Sequence, residues 1–148
     1  MKPSIRIRQS DDLELIQGLD RPLFGQGLGC LLEDCTWWVA EVLQDGSWEP
    51  VGYCGAHATD GGKYAFLARA GVVPAARGAG LQRRLIRVRT RWAKAHGMEG
   101  AWSYVFWSNL ASQRSLLREG FLPYNVERAD ECRFIHFKKS FLTKPAAP

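Results

Sequence analysis

Apolar residues recur along this chain at two spacings. Every second position is apolar in some stretches and every third or fourth in others, which divides the chain into strands and helices. Ile5 and Ile7 alternate with Arg6 and Arg8 and predict a half-buried strand over 4–8. Ser10 or Asp11 is placed to cap a helix running to about Gly18, with Leu13, Ile16 and Leu19 on one face. Residues 20–34 hold three glycines within five residues and predict a loop flanked by helical turns. Three strands follow, at 36–43, 48–58 and 63–73. Asp45-Gly46 marks the first hairpin turn between them and Asp60-Gly61-Gly62 the second.

The stretch 70–97 organises the rest. Val72 and Val73 close the third hairpin strand, and Pro74 has no backbone donor to continue the ladder. Gly78 and Gly80 allow a tight turn and a close approach of backbone to a ligand. Leu81, Leu85, Val88, Trp92 and Ala95 then mark one face of a helix. Its first turn presents unpaired N–H groups and the positive end of the helix dipole, both suited to a phosphate. Arg77, Arg83 and Arg84 add charge there. A strand over 100–107, a helix over 109–119 and a final strand pair near 121–127 and 132–139 complete the pattern. Asn109 reads as the helix N-cap and Gly120 as the residue just past its end. The tail 144–148 is expected to fray.

Composition narrows the picture. With 148 residues, 46% hydrophobic and 24% charged, the chain has the size and make-up of one globular domain, 1–148. No apolar run reaches membrane-spanning length, and the N-terminus lacks the apolar core of a secretory signal. Cys30, Cys35, Cys54 and Cys132 form no Cys-x-x-Cys pair, and His57, His96 and His136 are scattered, which argues against a metal. Cys54 and Cys132 lie in apolar runs and are expected as buried thiols, in keeping with a cytoplasmic location. The net charge of +5 favours an anionic partner, either nucleic acid or a cofactor carrying phosphates. Arg83, Arg84, Arg87, Arg91 and Lys94 form a basic stripe opposite the helix's apolar one, the arrangement of a solvated face, so nucleic acid is disfavoured.

The 70–97 stretch contains neither the P-loop spacing nor the third glycine of a dinucleotide fold. Val72-x-Pro74-x-x-Arg77-Gly78-x-Gly80-Leu81, followed by Leu85, instead resembles the acyl-coenzyme A binding motif of the GNAT superfamily of N-acetyltransferases. About thirty residues on, Asn109-Leu-Ala-Ser112, Leu116 and Gly120-Phe121 resemble that superfamily's second motif. The resemblance covers roughly residues 36–126. It implies an α/β (α+β) fold: a mixed, mostly antiparallel twisted sheet with helices on both faces, and a splayed parallel strand pair that holds the cofactor. It also implies acetyl-CoA as co-substrate and acetyl transfer to a primary amine, carried by a small molecule or by a peptide or protein. Homodimers are frequent in the superfamily. No metal is implied.

By the same resemblance the cofactor contacts are Val72, Val73, Arg77, Gly78, Ala79, Gly80, Leu81, Gln82, Arg83, Asn109 and Ser112. A backbone N–H near Val73 is expected to polarise the thioester carbonyl. Three positions depart from the family pattern. Gln82 stands where the motif has a small residue, Leu116 where the family often has a tyrosine as general acid, and Tyr104 where many members have a glutamate base. A phenol is a poor base at neutral pH. Tyr124 is the nearby substitute for the acid. Glu41 is the alternative base: it is in phase with Trp37, Val39 and Leu43, and burial on that apolar face is expected to raise its pKa. Its other reading is a glutamate facing water. Arg69 and His57 are further charged or titratable residues inside strands. A leaving thiol titrates near ~8.5 and departs with little acid assistance. A domain that binds acyl-coenzyme A without catalysis, and a basic nucleic-acid-binding module, are the competing readings.

Overall fold

A computed structural model describes residues 3–124 and 133–142. The expected strand residues 125–127 and 132, the thiol of Cys132 and the tail 144–148 lie outside the described residues. The elements run β1 (Ile5–Ser10), α1 (Leu13–Phe24), α2 (Leu31–Asp34), β2 (Thr36–Gln44), β3 (Ser47–Thr59), β4 (Tyr64–Val72), α3 (Leu81–Ala95), β5 (Gly100–Phe106), α4 (Leu110–Arg118), β6 (Leu122–Pro123) and β7 (Phe134–Ser140). The strands form one seven-stranded sheet in the order β1-β2-β3-β4-β5-β7-β6. Its described pairs are antiparallel except β4 with β5, which pair in parallel over Tyr64–Phe66 and Gly100–Trp102. This is the mixed, mostly antiparallel fold that the motifs imply. The chain divides into two compact units, Met1–His57 with Leu67–Arg89, and Ala58–Phe66 with Thr90–Pro148.

In the first unit, strand alternation sorts side chains to two faces. Trp37, Val39 and Tyr53 join Ile16 and Leu28 in a core against which Leu13, Leu19 and Leu23 of α1 pack. The other face meets α3: a Cβ on Gly52 would lie 3.5 Å from Leu81, and the Cys54 thiol contacts the Leu85 carbonyl at 3.7 Å. Helices on both sides explain why residues 37–40 are all buried. Both hairpin turns form where expected, with Asp45 and Gly46, and Asp60, Gly61 and Gly62, at positive φ. Between Ala40/Glu41 and Gly52/Pro50 the register slips by one residue, a bulge on β3 where Pro50 has no N–H to give the ladder.

The first helix departs from expectation at both ends. Asp12, not Ser10 or Asp11, is the cap, accepting the Leu15 N–H at 3.1 Å. The helix does not stop at Gly18 but continues to Phe24, so part of the expected loop 20–34 is helical. Asp20 explains the extension. Its buried carboxylate accepts the Tyr53 hydroxyl and, at 3.1 and 3.3 Å, Nη1 of Arg69, which ties α1 to β3 and β4. The Arg69 guanidinium also lies 4.5 Å over the Phe24 ring. Gly25, at φ +73°, then ends the helix.

The buried stripe of α3 is also rotated from the expected one. Leu81 and Leu85 are buried as read, but Ile86, Arg89 and Ala93 follow, while Val88 and Trp92 are half-buried and Ala95 is exposed. Arg89 spreads its guanidinium over the carbonyls of Leu85, Gly55 and Ala68 at 3.0–3.3 Å. Burial lowers its pKa.

In the second unit, β5, β7 and β6 form the sheet. Leu116, Phe121, Ala101, Ser103 and Phe137 are buried. Asn109 caps α4 by accepting the Ser112 N–H at 3.2 Å. At the other end Phe121 donates to the Leu116 carbonyl and Gly120, at φ +89°, to that of Leu117, the paired bonds of a glycine C-terminal motif. Lys139 adds its ammonium to the Glu119 carbonyl at 2.7 Å.

Removing the Asp20 carboxylate leaves the buried Tyr53 phenol without its acceptor and the Arg69 guanidinium without its counter-charge, with only the Gln26 carbonyl at 3.3 Å left to accept from it. We expect Asp20→Ala to cost about 3–5 kcal/mol of stability in urea denaturation. A cost under about 1 kcal/mol, the range of surface substitutions, would show that α1 is held by apolar packing alone.

Candidate functional site

The residues from Val72 to Arg83 come together in the first unit as a strand-to-helix turn. Val72 is the last residue of β4 and is buried. Pro74–Ala76 form a 3-10 turn, and Gly78 and Gly80 take φ +85° and +76° before α3 begins at Leu81. A side chain at either glycine would be strained by its backbone conformation, yet a Cβ there would meet nothing within 4 Å. These glycines serve the turn and leave its backbone open. Arg77, Gly78, Ala79 and Gly80 are exposed, Gln82 and Arg83 half-buried, and the Leu81 side chain is core. The turn is pinned from within, because Arg77 Nε donates to the Val72 carbonyl at 3.0 Å and Val73 N–H to the Val51 carbonyl at 2.9 Å. The second bond commits Val73's own N–H to β3.

Glu41 overturns an expectation. It is buried on β2, directly opposite Arg6 of β1, and its Oε1 accepts Nε of Arg6 at 2.9 Å and Nε of Arg8 at 2.8 Å. Burial pushes its pKa up, but the hydrogen bonds and charges of Arg8 and Arg6 outweigh it and hold the carboxyl below its ordinary value. Neither the raised pKa of a base nor a water-facing glutamate is found. Sequence phase gave the face of β2, whereas the pairing of β1 against it brings the arginines. His57 is half-buried near the end of β3. The Cys54 thiol is buried as expected, and burial pushes its pKa up to about 11. A cavity of about 530 Å³, lined in part by Gln9, Ser10, Leu13, Cys35 and Trp37, includes none of the expected site residues.

The second unit holds the other expected residues. Asn109 and Ser112 share the α4 cap; it uses the carbonyl end of the Asn109 side chain, so its amide nitrogen is the end suited to a ligand. Tyr104 of β5 lies opposite His136 of β7, with ring centroids 5.7 Å apart. Tyr124 stands 5.7 Å from the same imidazole. In the sequence His136 is one of three scattered histidines. Its signal was the alternation Phe134, His136, Lys138, but its juxtaposition with Tyr104 required the β5–β7 register. Among the described residues no group of three His, Cys, Asp or Glu side chains could hold a metal ion, and no helix is long and apolar enough to cross a membrane.

The lowered Glu41 pKa fixes a pH dependence. The carboxyl binds a proton less readily in the folded state. Its ion pairs therefore stabilise fully above the unfolded value of ~4.3 and lose that effect as pH falls through the lower folded value. We expect Glu41→Gln to cost about 1–3 kcal/mol at neutral pH and to show less acid destabilisation below about pH 4 than the parent. Equal acid sensitivity of the two proteins in denaturation midpoints would contradict this.

Comparison with known proteins adds the following. The protein-family model described as "Acetyltransferase (GNAT) family" matches residues 6–121. No curated protein matches the sequence. The fold is similar to an IAA acetyltransferase from Bacillus cereus, with a TM-score of 0.77 at 18% identity over 93% of this chain and 100% of that one. It is similar to Arabidopsis thaliana NAA60 in complex with acetyl-CoA, with a TM-score of 0.74 at 17% identity over 93% and 99%. An acetyltransferase of the GNAT family from Streptococcus pneumoniae gives a TM-score of 0.70 at 16% identity over 93% and 99%. At these identities the likeness to solved structures is one of fold.

Proposed function

The chain belongs to the acetyltransferase (GNAT) family, and we propose that it moves an acetyl group from acetyl-coenzyme A to a primary amine by direct attack within a ternary complex. The observation that carries this reading is the open turn before α3, with Gly78 and Gly80 at positive φ and free space above both. Backbone there approaches a phosphate without a side chain in the way, at the start of a 15-residue helix whose first-turn N–H groups suit an anion. Arg77 supplies charge, and the backbone of Gly78, Ala79, Gly80, Leu81, Gln82 and Arg83 is the cradle. The Gln82 side chain adds an amide where the family has a small residue. Asn109 is assigned to the pantetheine arm and Ser112 to the cofactor on the family resemblance alone. Acetyl-CoA is named as the ligand of one structure of similar fold. It would supply an acyl group activated as a thioester.

The chain's own contribution is to hold and orient the two reactants, which can account for much of the rate. Glu41 is left out of the proton transfer because two guanidinium groups engage it. Proton transfer falls to the second unit, where Tyr104 and Tyr124 flank His136.

We expect the purified protein to release coenzyme A thiol from acetyl-CoA in the presence of an accepted primary amine, with an N-acetylated product of matching mass. Gly80→Trp should reduce release to background while the protein still folds, with a denaturation midpoint below that of the parent, since the space at residue 80 is open but its φ of +76° strains any side chain. Undiminished turnover in folded Gly80→Trp would remove the turn from the mechanism. Binding of acetyl-CoA with no turnover across a broad amine panel would favour the non-catalytic reading.

A further inference from the structure

One face of the sheet in the second unit is built of rings. Side chains alternate along β5, so Ala101 and Ser103 are buried on one side while Trp102, Tyr104 and Phe106 share the other. Register carries that face to the neighbouring strands. Phe66 of β4 is opposite Trp102, and across β7 Lys138, His136 and Phe134 are opposite Trp102, Tyr104 and Phe106. The rings are contiguous. Centroids lie 4.5 Å apart for Phe66 and Trp102, 5.6 Å for Phe66 and Tyr104, 5.1 Å for Tyr104 and Phe134, and 5.7 Å for Phe106 and Phe134. They are also solvent-facing: Tyr104 is 44% exposed, Phe106 42%, Tyr124 53% and Phe134 38%. The outer face of an antiparallel sheet ordinarily alternates to polar residues, and a continuous exposed apolar patch marks a binding surface.

The charge on this face is one-sided. None of these register-aligned positions carries an acid, and Lys138 holds its ammonium 4.4 Å over the ring of Tyr64. Among the described residues the face therefore offers π surface and few cations: Lys138, and Lys63, whose ammonium lies 6.0 Å from the same ring and pairs with Glu99 at 3.7 Å. Nucleic acid fits it poorly, because tracking a phosphate backbone takes a row of cations. A second copy fits it poorly too, since pairing the face with itself brings together two Lys138-bearing surfaces with no acid at the register-aligned positions to answer them. A small ligand with a flat ring and a carboxylate meets both features. The acceptor must also bring an amine, and Tyr104, at the position where the family resemblance puts the acceptor's base, sits within the patch.

The geometry points to an aromatic amino acid as the acceptor class: its ring against Tyr104 and Phe134, its carboxylate on Lys138, its amine the group acetylated. This rests on the acetyltransferase reading. In the reaction the amine nitrogen bonds to the acetyl carbon as the carbon–sulfur bond breaks; coenzyme A leaves as the thiolate and the amine gives up one proton.

The test uses L-phenylalanine, phenethylamine (no carboxylate) and L-alanine (no ring) with the full chain. Saturation-transfer NMR without any cofactor reads binding, and thiol release with acetyl-CoA reads turnover. Phenylalanine should bind, and its kcat/KM should exceed that of either analogue by about tenfold or more. Lys138→Ala should abolish the preference over phenethylamine. Phe134→Ala should raise KM for phenylalanine about fivefold without changing KM for acetyl-CoA, and Phe134→Leu should restore part of the loss. Binding of phenylalanine without acetyl transfer would keep the surface and overturn the enzyme reading. Equal turnover of all three amines would keep the enzyme and overturn the surface. So would absence of phenylalanine binding, a dimer dispersed by Phe134→Ala, or an oligonucleotide whose binding Phe134→Ala weakens.

Discussion

A backbone constraint governs the candidate site: β4 must end at Val72, and the chain must reverse into α3 by Leu81. Pro74 forbids continuation of the ladder, and Gly78 and Gly80 supply the positive φ angles that the reversal needs. The neighbouring bonds hold the turn in place without filling it. Val73 is tied to β3 through Val51, Arg77 closes on the Val72 carbonyl, and Leu81 and Leu85 sink into the core. What remains exposed is backbone, which is what an approaching phosphate requires.

Around this turn the first unit neutralises its buried charges locally. Asp20 is paired with Arg69 and Tyr53, Glu41 with Arg6 and Arg8, and Arg89 with three carbonyl oxygens. Each arrangement satisfies groups that would be costly to bury alone. The two carboxylates are thereby committed to structure. Among the described residues of the second unit no charged side chain is buried, and a sheet face is given over to aromatic rings around His136.

Strands, both hairpin turns, the glycine turn and the caps of α4 were legible in the sequence because each rests on a local rule of spacing or φ. Legibility failed where a distant partner decides. Gly18 reads as a helix end, but Asp20 finds Tyr53 and Arg69 and draws α1 on to Phe24. Arg89 belongs to neither stripe read from the spacing, yet it occupies a core position because backbone carbonyls receive it. Glu41 lies on the face its phase predicts, while the sign of its pKa shift is set by β1. The aromatic face was present in the alternation of β5 and β7, but only their register brings Tyr104 opposite His136.

The account depends most on the turn holding the donor, and calorimetric titration of the protein with acetyl-coenzyme A tests that directly, with dephospho-coenzyme A as the companion ligand. The account predicts saturable binding at one site per chain, weakened when the 3′-phosphate is removed, because Arg77 and the start of α3 present positive charge. No heat of binding from either ligand at millimolar concentration would contradict it and leave the open glycine turn a structural connection alone.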